Sequence, residues 1–232
     1  MVNDIEKNFT ELKKTAIDGG ASLFGVAELA PLQEYFHPLI EPLASKLPFA
    51  ISIAIKLSDS IIDDIVDAPT LIYKHHYKSV NYMLDQVALA VCKKIDALGY
   101  SAAPIPSSQM VDWEKQLGHL SHRLVAWQAG IGHIGRSHLL VSREFGARIR
   151  LVTILTDIPL PAGKPLEGNC NDCGKCISSC PAQAITKEGL IREKCIAKLK
   201  EFTKIRGIGV SICGICVRDC TGKQTVTSKV KT

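Results

Sequence analysis

The chain has 232 residues, 46% hydrophobic and 22% charged, a balance that suits a globular protein long enough to bury a real core. The start Met1-Val2-Asn3-Asp4 is polar and acidic, and the longest nearly apolar run, Leu47 to Ile55, is about half of the ~20 residues that span a bilayer. No signal peptide and no membrane segment are therefore expected, and the expected location is cytoplasmic.

In chain order, Asn3 or Asp4 caps a first helix with Ile5, Phe9, Leu12, Ala16 and Ile17 at helical spacing, ended by Gly19-Gly20. Ser22 to Ala27 and Phe49 to Leu57 read as buried strands, with a helical stretch from Leu32 to Leu43 between them. Thr70 to Leu98 reads as a long helix whose apolar side carries Val80, Leu84, Val87, Val91 and Leu98. A short strand at Ser101–Ala103 leads into Pro104-Ile105-Pro106. A helix from Trp113 to Gln128, a glycine-rich turn, a strand at Leu139–Val141 and a strong strand at Arg148–Thr156 follow. Prolines and glycines between Ile158 and Gly168 mark a linker. The expected organisation is an α/β domain over residues 1–168, a cysteine-rich domain over 169–222 and a flexible tail over 223–232. No long internal repeat is evident.

Nine cysteines are spread unevenly: Cys92 is alone, and the others lie between Cys170 and Cys220. With no export signal, ligation to metal is expected over disulfides. Cys170-x2-Cys173-x2-Cys176-x3-Cys180-Pro181 matches the bacterial ferredoxin run, in which three thiolates wrap one [4Fe-4S] cubane and the fourth ligates another cluster. Zinc sites use two Cys-x2-Cys pairs and do not favour this run. The second set is Cys195 with Cys213-x2-Cys216-x3-Cys220. The expected ligand sets are Cys170, Cys173, Cys176 and Cys220 for one cluster, and Cys180, Cys195, Cys213 and Cys216 for the other. Two such centres, each −2 with its thiolates, would bring the formal charge of +5 to about +1, so net charge does not point to nucleic acid. Cys92, on an apolar helix face, reads as a core thiol.

Gly130-Ile131-Gly132-His133-Ile134-Gly135 spells a dinucleotide-binding pattern, but a helix precedes it where that fingerprint needs a strand, and nicotinamide is rejected. Three glycines instead offer bare backbone to a large cofactor. His119 and His122 sit three residues apart on the expected helix, which permits a metal pair, ordinary histidines, or a proton donor. Tyr73, His75, His76 and Tyr77 open the long helix, as a solvated start or a cofactor-facing cluster.

The stretch from Ala129 through Gly130-Ile-Gly-His-Ile-Gly-Arg-Ser-His-Leu-Leu-Val to Gly146 resembles the cobalamin-contacting segment of the epoxyqueuosine reductases. It is followed in the family's order by Leu151–Asp157 and the cysteine run, and the resemblance covers roughly residues 10–220 of a short, divergent member. The superfamily also includes the reductive dehalogenases. It implies a nitroreductase-like α/β (α+β) domain holding base-off cobalamin beside a ferredoxin-like double [4Fe-4S] domain. It further implies cofactor contacts from Gly130, Ile131, Gly132, His133, Gly135, Arg136, Ser137 and Leu139, and an acid at Asp112. The family's turn tryptophan is His133 here, its Lys-Asn is Arg136-Ser137, and its final Cys-Pro-Trp is Cys220-Thr221-Gly222. The expected activity is an iron–sulfur cobalamin-dependent reduction fed by an external donor of the ferredoxin or flavodoxin type. Asp112, His119 and His122 are the candidate proton donors, with Tyr77 as a fourth. The substrate is expected to be a small molecule rather than tRNA. The alternative is an electron-transfer or corrinoid-handling protein that serves a corrinoid-carrying partner.

Overall fold

A computed structural model describes residues 2–168, 170 and 173–222. The tail expected at 223–232 lies outside the described residues. Helix α1 (Val2–Asp18) leads to strand β1 (Leu23–Glu28), and a short helix α2 (Glu41–Ala44) precedes strand β2 (Phe49–Lys56). Then come α3 (Asp59–Asp63), the long α4 (Leu71–Ala97), β3 (Ala102–Ile105), α5 (His122–Gln128), β4 (Gly132–Ile134), β5 (Leu140–Ser142) and β6 (Ile149–Thr156). The cysteine-rich part holds α6 (Lys175–Ser178), α7 (Arg192–Thr203) and α8 (Ile215–Asp219). The fold is α/β. Its main sheet has the order β1-β2-β6-β3 with every neighbouring pair antiparallel, and β4 and β5 form a separate hairpin.

The period of two along a strand divides the core between the two faces of the sheet. Ile51, Ile53 and Ile55 of β2 and Val152 and Ile154 of β6 face α4 and α1, where Leu12, Leu84, Val87, Val91 and Ile95 are buried. The alternate residues, Ala50 and Ala54 of β2 and Leu155 of β6, face α5 through Val125 and Ala126. Alanines on this side leave room for a short helix to lie close to the sheet. Thr70 caps α4 by accepting the Tyr73 N–H at 3.1 Å.

Two expected helices take a different form. The stretch from Leu32 to Leu43 breaks into 3-10 turns at Ala30–Tyr35 and Pro38–Ile40 followed by α2, because His37, before Pro38, is extended (ψ 139°). The helix expected from Trp113 begins only at His122. Asp112 Oδ1 accepts the Lys115 N–H at 2.8 Å, and Asp112 bridges back to Leu117. A side chain that satisfies a backbone donor locally competes with the helix, and Gly118 weakens it further.

The cysteine-rich part shares the main core. Ile208, Ile212 and Ile215 are buried with the α4 residues, and Ile158 and Leu160 of the expected linker are buried too. Buried Arg148, at the foot of β6, donates to the Arg218 carbonyl of α8 through Nε (3.1 Å) and Nη2, and to Asp59 (2.9 Å) and Asp63 (2.6 Å) of α3. The Ala147 N–H donates to the Cys220 carbonyl at 3.0 Å. These bonds hold the last cysteine against the end of β6. Among the described residues no helix is long and apolar enough to cross a membrane.

Candidate active site

Two adjoining clefts open at one end of the sheet, of about 750 Å³ and 700 Å³. Both are lined by Ser107, Gln116, Gly118, Leu120 and His122. The larger is walled by Leu139 and Leu140, by Ile149, Arg150 and Leu151 of β6, and by Val217 of α8. Val217 is the neighbour of Cys216, so the cleft abuts the cysteine-rich part directly. The smaller is lined by Tyr77, Asn81 and Asp85 of α4 and by the loop from Pro106 to Met110.

His122 stands where the clefts meet. Its Nε2 lies 3.1 Å from the Pro106 carbonyl and its Nδ1 2.8 Å from the Thr153 hydroxyl. A carbonyl only accepts, so Nε2 carries the proton and Nδ1 accepts from the threonine. Burial pushes the imidazole down to about 4, opposed by the Pro106 carbonyl and reinforced by the Arg150 charge. With both nitrogens engaged and the ring neutral near pH 7, His122 is poorly suited to donate a proton. Its folded value lies below the ordinary 6.5, so its contribution to stability is complete above about pH 6.5 and is lost as pH falls toward 4. The melting temperature should therefore fall between pH 7 and pH 5, and His122→Gln should flatten that slope relative to the wild type.

The other two candidates lie off the helix. His119 precedes α5, and its carbonyl accepts the His37 N–H at 2.9 Å. Asp112 lines the larger cleft, with one carboxylate oxygen used in its turn. His119 lines the smaller cleft.

A more acidic hydroxyl stands in the smaller cleft. Arg150 donates from Nε to Asn81 Oδ1 (2.9 Å) and from Nη2 to the Tyr77 hydroxyl (3.2 Å), with its guanidinium 4.4 Å from the centre of the Tyr77 ring. The Tyr77 hydroxyl also lies 2.9 Å from Ser108 Oγ. Burial raises the phenol, but the Arg150 charge and the bonds with Ser108 and Asn81 outweigh it and hold Tyr77 below its ordinary value. The sequence signal for this pair was Arg150 itself, a charge set inside the apolar strand Ile149–Thr156.

The glycine segment is a hairpin, β4 with β5, rather than a loose turn. Gly130 (φ +75°) ends α5, and a Cβ at Gly132 would land on the Val141 carbonyl across the hairpin. A β-branched residue at Gly132 would thus strike the chain's own backbone. Ile131 packs into the core around α5. Arg136 donates from its backbone N–H to Cys170 Sγ (3.3 Å) and from Nε to the Lys187 carbonyl (3.3 Å). Ser137 is buried, and His133 packs against Gly168, with no hydrogen-bond partner for Nε2 among the described residues. Of the residues expected to touch a cofactor, Leu139 lines the larger cleft, and the others line neither cleft.

None of the nine cysteines is in a disulfide. Cys92 is buried and pushed up to about 12 by burial and by Asp96, an unreactive thiol. The remaining thiols fall into two groups by the neighbours they feel. Burial and then Cys170, Cys220 and Cys173 push Cys176 up to about 11; burial raises Cys220, with Cys170 and Cys173 adding to it. Burial raises Cys213 to about 11, with Cys195 and Cys180 adding to it, and Cys216 is raised by burial, Cys213 and Cys195. Cys216 also feels Cys176, so the groups are neighbours. Ala184 N–H donates to Cys180 Sγ at 3.3 Å, the same kind of bond that Arg136 makes to Cys170.

The short helices α6 and α8 both start at a left-handed glycine, Gly174 (φ +59°) and Gly214 (φ +89°). Each glycine sits in Cys-Gly-x-Cys-x3-Cys, a pattern that recurs from Cys173 at Cys213 and that a search for long repeats passes over. Left-handed backbone at that point turns the chain so that the flanking thiols converge, and only glycine adopts it at no cost. Among the described residues no three His, Cys, Asp or Glu side chains close around a single ion. Backbone N–H groups are aimed at Cys170 Sγ and Cys180 Sγ, the kind of contact that steadies a metal-bound thiolate.

The fold and the site together define an α/β chain with a cysteine-rich segment set against a cleft. No protein-family model matches the sequence. It is 38% identical over 111 residues to an epoxyqueuosine reductase of Bacillus cereus, covering 47% of this chain and 28% of that protein. It is 28% identical over 212 residues to a tetrachloroethene reductive dehalogenase of Desulfitobacterium hafniense, covering 88% of this chain and 35% of that one. Among solved structures it is similar to a catabolic reductive dehalogenase in complex with 3-bromo-4-hydroxybenzoic acid (TM-score 0.75, 20% identity, 90% of this chain and 31% of that one). It is also similar to an epoxyqueuosine reductase (TM-score 0.62, 22% identity, 91% and 64%). The chain is thus a homologue of epoxyqueuosine reductases and of reductive dehalogenases, with structural neighbours in both, and fits a divergent member of their superfamily. It spans about a third of the length of these curated relatives.

Proposed function

We propose that this chain is an iron–sulfur reductase that uses cobalamin, with two [4Fe-4S] clusters held by Cys170, Cys173, Cys176 and Cys220 and by Cys180, Cys195, Cys213 and Cys216. The observation that carries this reading is the division of the thiols into those two crossed groups, beside a cleft walled by α8. Partly exposed thiols crowded together repel one another once ionised, and iron would supply the counter-charge. The paired clefts, each of a size that suits a small-molecule cofactor or substrate, favour a large ring in one and a substrate in the other. Leu139, Leu140, Ile149 and Leu151 would lie against the ring. When bound, cobalamin supplies the low-potential metal centre that performs the reduction.

The chain's own residues then orient and protonate. Tyr77 presents a hydroxyl held acidic by Arg150, and it takes the donor role that Asp112, His119 and His122 fill less well. His122, fixed by Pro106 and Thr153, holds the wall between the clefts. Electrons arrive from an external carrier of the ferredoxin or flavodoxin type.

The test is an anaerobic purification followed by metal analysis and a visible spectrum with and without added cobalamin. About eight iron and eight sulfide per chain, and a cobalamin spectrum altered by binding, are expected. Zinc in place of iron, with no broad visible absorption, overturns the cluster assignment. Turnover is then assayed with tetrachloroethene and 3-bromo-4-hydroxybenzoic acid, the compounds named for the relatives. A protein that turns over no substrate yet reduces a partner's corrinoid is a corrinoid-handling protein instead.

A further inference from the structure

The larger cleft carries more positive charge than its own residues neutralise. Arg123, Arg150, Arg192 and Lys115 all line it. Arg123 donates from Nη1 to the His138 carbonyl at 2.7 Å, and Arg192 donates from Nη2 to the carbonyls of Lys115 and Gln116 (3.4 Å for the second). Arg150 uses Asn81, Tyr77 and the Ser107 carbonyl. Every one of these acceptors is uncharged. Among the described residues none of the three arginines meets a carboxylate, whereas Arg148 and Arg218, outside the cleft lining, are paired with Asp59, Asp63 and Asp219. The lining holds two carboxylates, Glu34 and Asp112, against these four cations, and Asp112 Oδ1 accepts the Lys115 N–H. Arg123 and Arg192 line the same cleft, and Arg123 is held below its ordinary value first by burial and then by the charge of Arg192, while Arg192 also opposes the rise of the Cys195 thiol. Like charges held close to the half-buried Arg123 favour an anion that joins them, and the planar guanidinium is the side chain best shaped to bind an oxyanion through two hydrogen bonds.

We propose that the larger cleft binds an oxyanion, a phosphate or carboxylate carried by its ligand, between Arg123 of α5 and Arg192 of α7. The site joins the sheet to the cysteine-rich part, because α5 packs on the sheet and α7 carries Cys195. The inference rests on the reductase reading only in taking this cleft as the active site.

The test uses the intact chain with its metal centres in place and no cobalamin added, titrated with inorganic phosphate against potassium chloride at equal ionic strength. Phosphate about tenfold above its Kd should raise the melting temperature by ~3 °C over the chloride control. R123Q and R192Q should each weaken phosphate at least tenfold, while K46Q, outside the lining, should not. Arg192 is exposed, so R192Q guards against a folding defect in R123Q. A shift no larger than that of chloride, or one equal in wild type and both variants, overturns the proposal. Cobalamin and cobinamide, which lacks the phosphate-bearing tail, separate the two sources of the anion. If the variants lose affinity for cobalamin alone, the arginines hold the cofactor's phosphate; if they lose inorganic phosphate but neither corrinoid, the anion belongs to a substrate that shares this cleft with the ring. Phosphate binding that persists where cobalamin does not bind removes the reductase reading and leaves the anion site standing.

Discussion

Cys180→Ser is expected to lower the iron content from about eight to about four atoms per chain, because it removes one ligand of one four-iron cluster. The informative comparison is the double variant Cys180→Ser/Cys213→Ser. Cys213 feels Cys180 and Cys195 as neighbours, whereas Cys176 feels Cys170, Cys173 and Cys220. With the ligands crossed in this way, both substitutions fall on one cluster, and the double variant should keep about four iron. If each motif ligated its own cluster, the second change would strike the other site and iron would fall toward zero. Cys220→Ser paired with Cys176→Ser gives the mirror experiment on the other quartet. Iron and sulfide analysis with low-temperature magnetic resonance of the reduced protein reads both results.

The second large effect concerns chemistry. Tyr77→Phe should lower turnover by ~10²–10⁴-fold while iron and bound cobalamin stay unchanged, the loss typical of removing a positioned acid. The ring remains over Arg150, so packing is conserved and only the hydroxyl is lost. Arg150→Gln tests the mechanism by which the phenol is tuned. Arg150 lowers the Tyr77 value, so its removal raises that value and should move the alkaline limb of the pH–rate profile upward. A profile that does not move, or full activity in Tyr77→Phe, places the donor elsewhere.

What the sequence made legible follows from the range of each signal. The cysteine spacings are local, and the proposed quartets rest on them; the structure adds that Cys176 lies near Cys170, Cys173 and Cys220, and Cys213 near Cys180 and Cys195. The long helix and the buried strands β1, β2 and β6 were legible because many residues repeat one period. The helix expected from Trp113 was not, since a single side-chain bond from Asp112 to the Lys115 N–H diverts the chain there, and periodicity averages over such contacts. The same error placed His119 and His122 on one helical face. The glycine segment was read as open backbone, whereas its tightness at Gly132 comes from β5, which lies across the hairpin. Tyr77 and Arg150 meet only because α4 packs across β6, a contact that no local pattern encodes. The charge on Arg150, in a strand whose residues 151–155 are apolar except for Thr153, was the available hint.

The crossed ligation proposed for the cysteines would also have a consequence for how the protein matures. Cys170 and Cys220 lie at opposite ends of the cysteine segment, and Cys180 and Cys213 are nested inside them. Drawing either quartet together closes long loops, and the entropy lost in that closure grows only slowly with loop length. Once the first quartet is closed, Cys180, Cys195, Cys213 and Cys216 are already confined to a small volume, so the second closes with much of its chain entropy already spent. The Cys220 carbonyl is in turn held by Ala147 at the foot of β6, so the last ligand is delivered by the folded sheet. Loading therefore becomes close to all-or-none, and half-filled chains should be rare during assembly even though single serine variants can be trapped with one cluster.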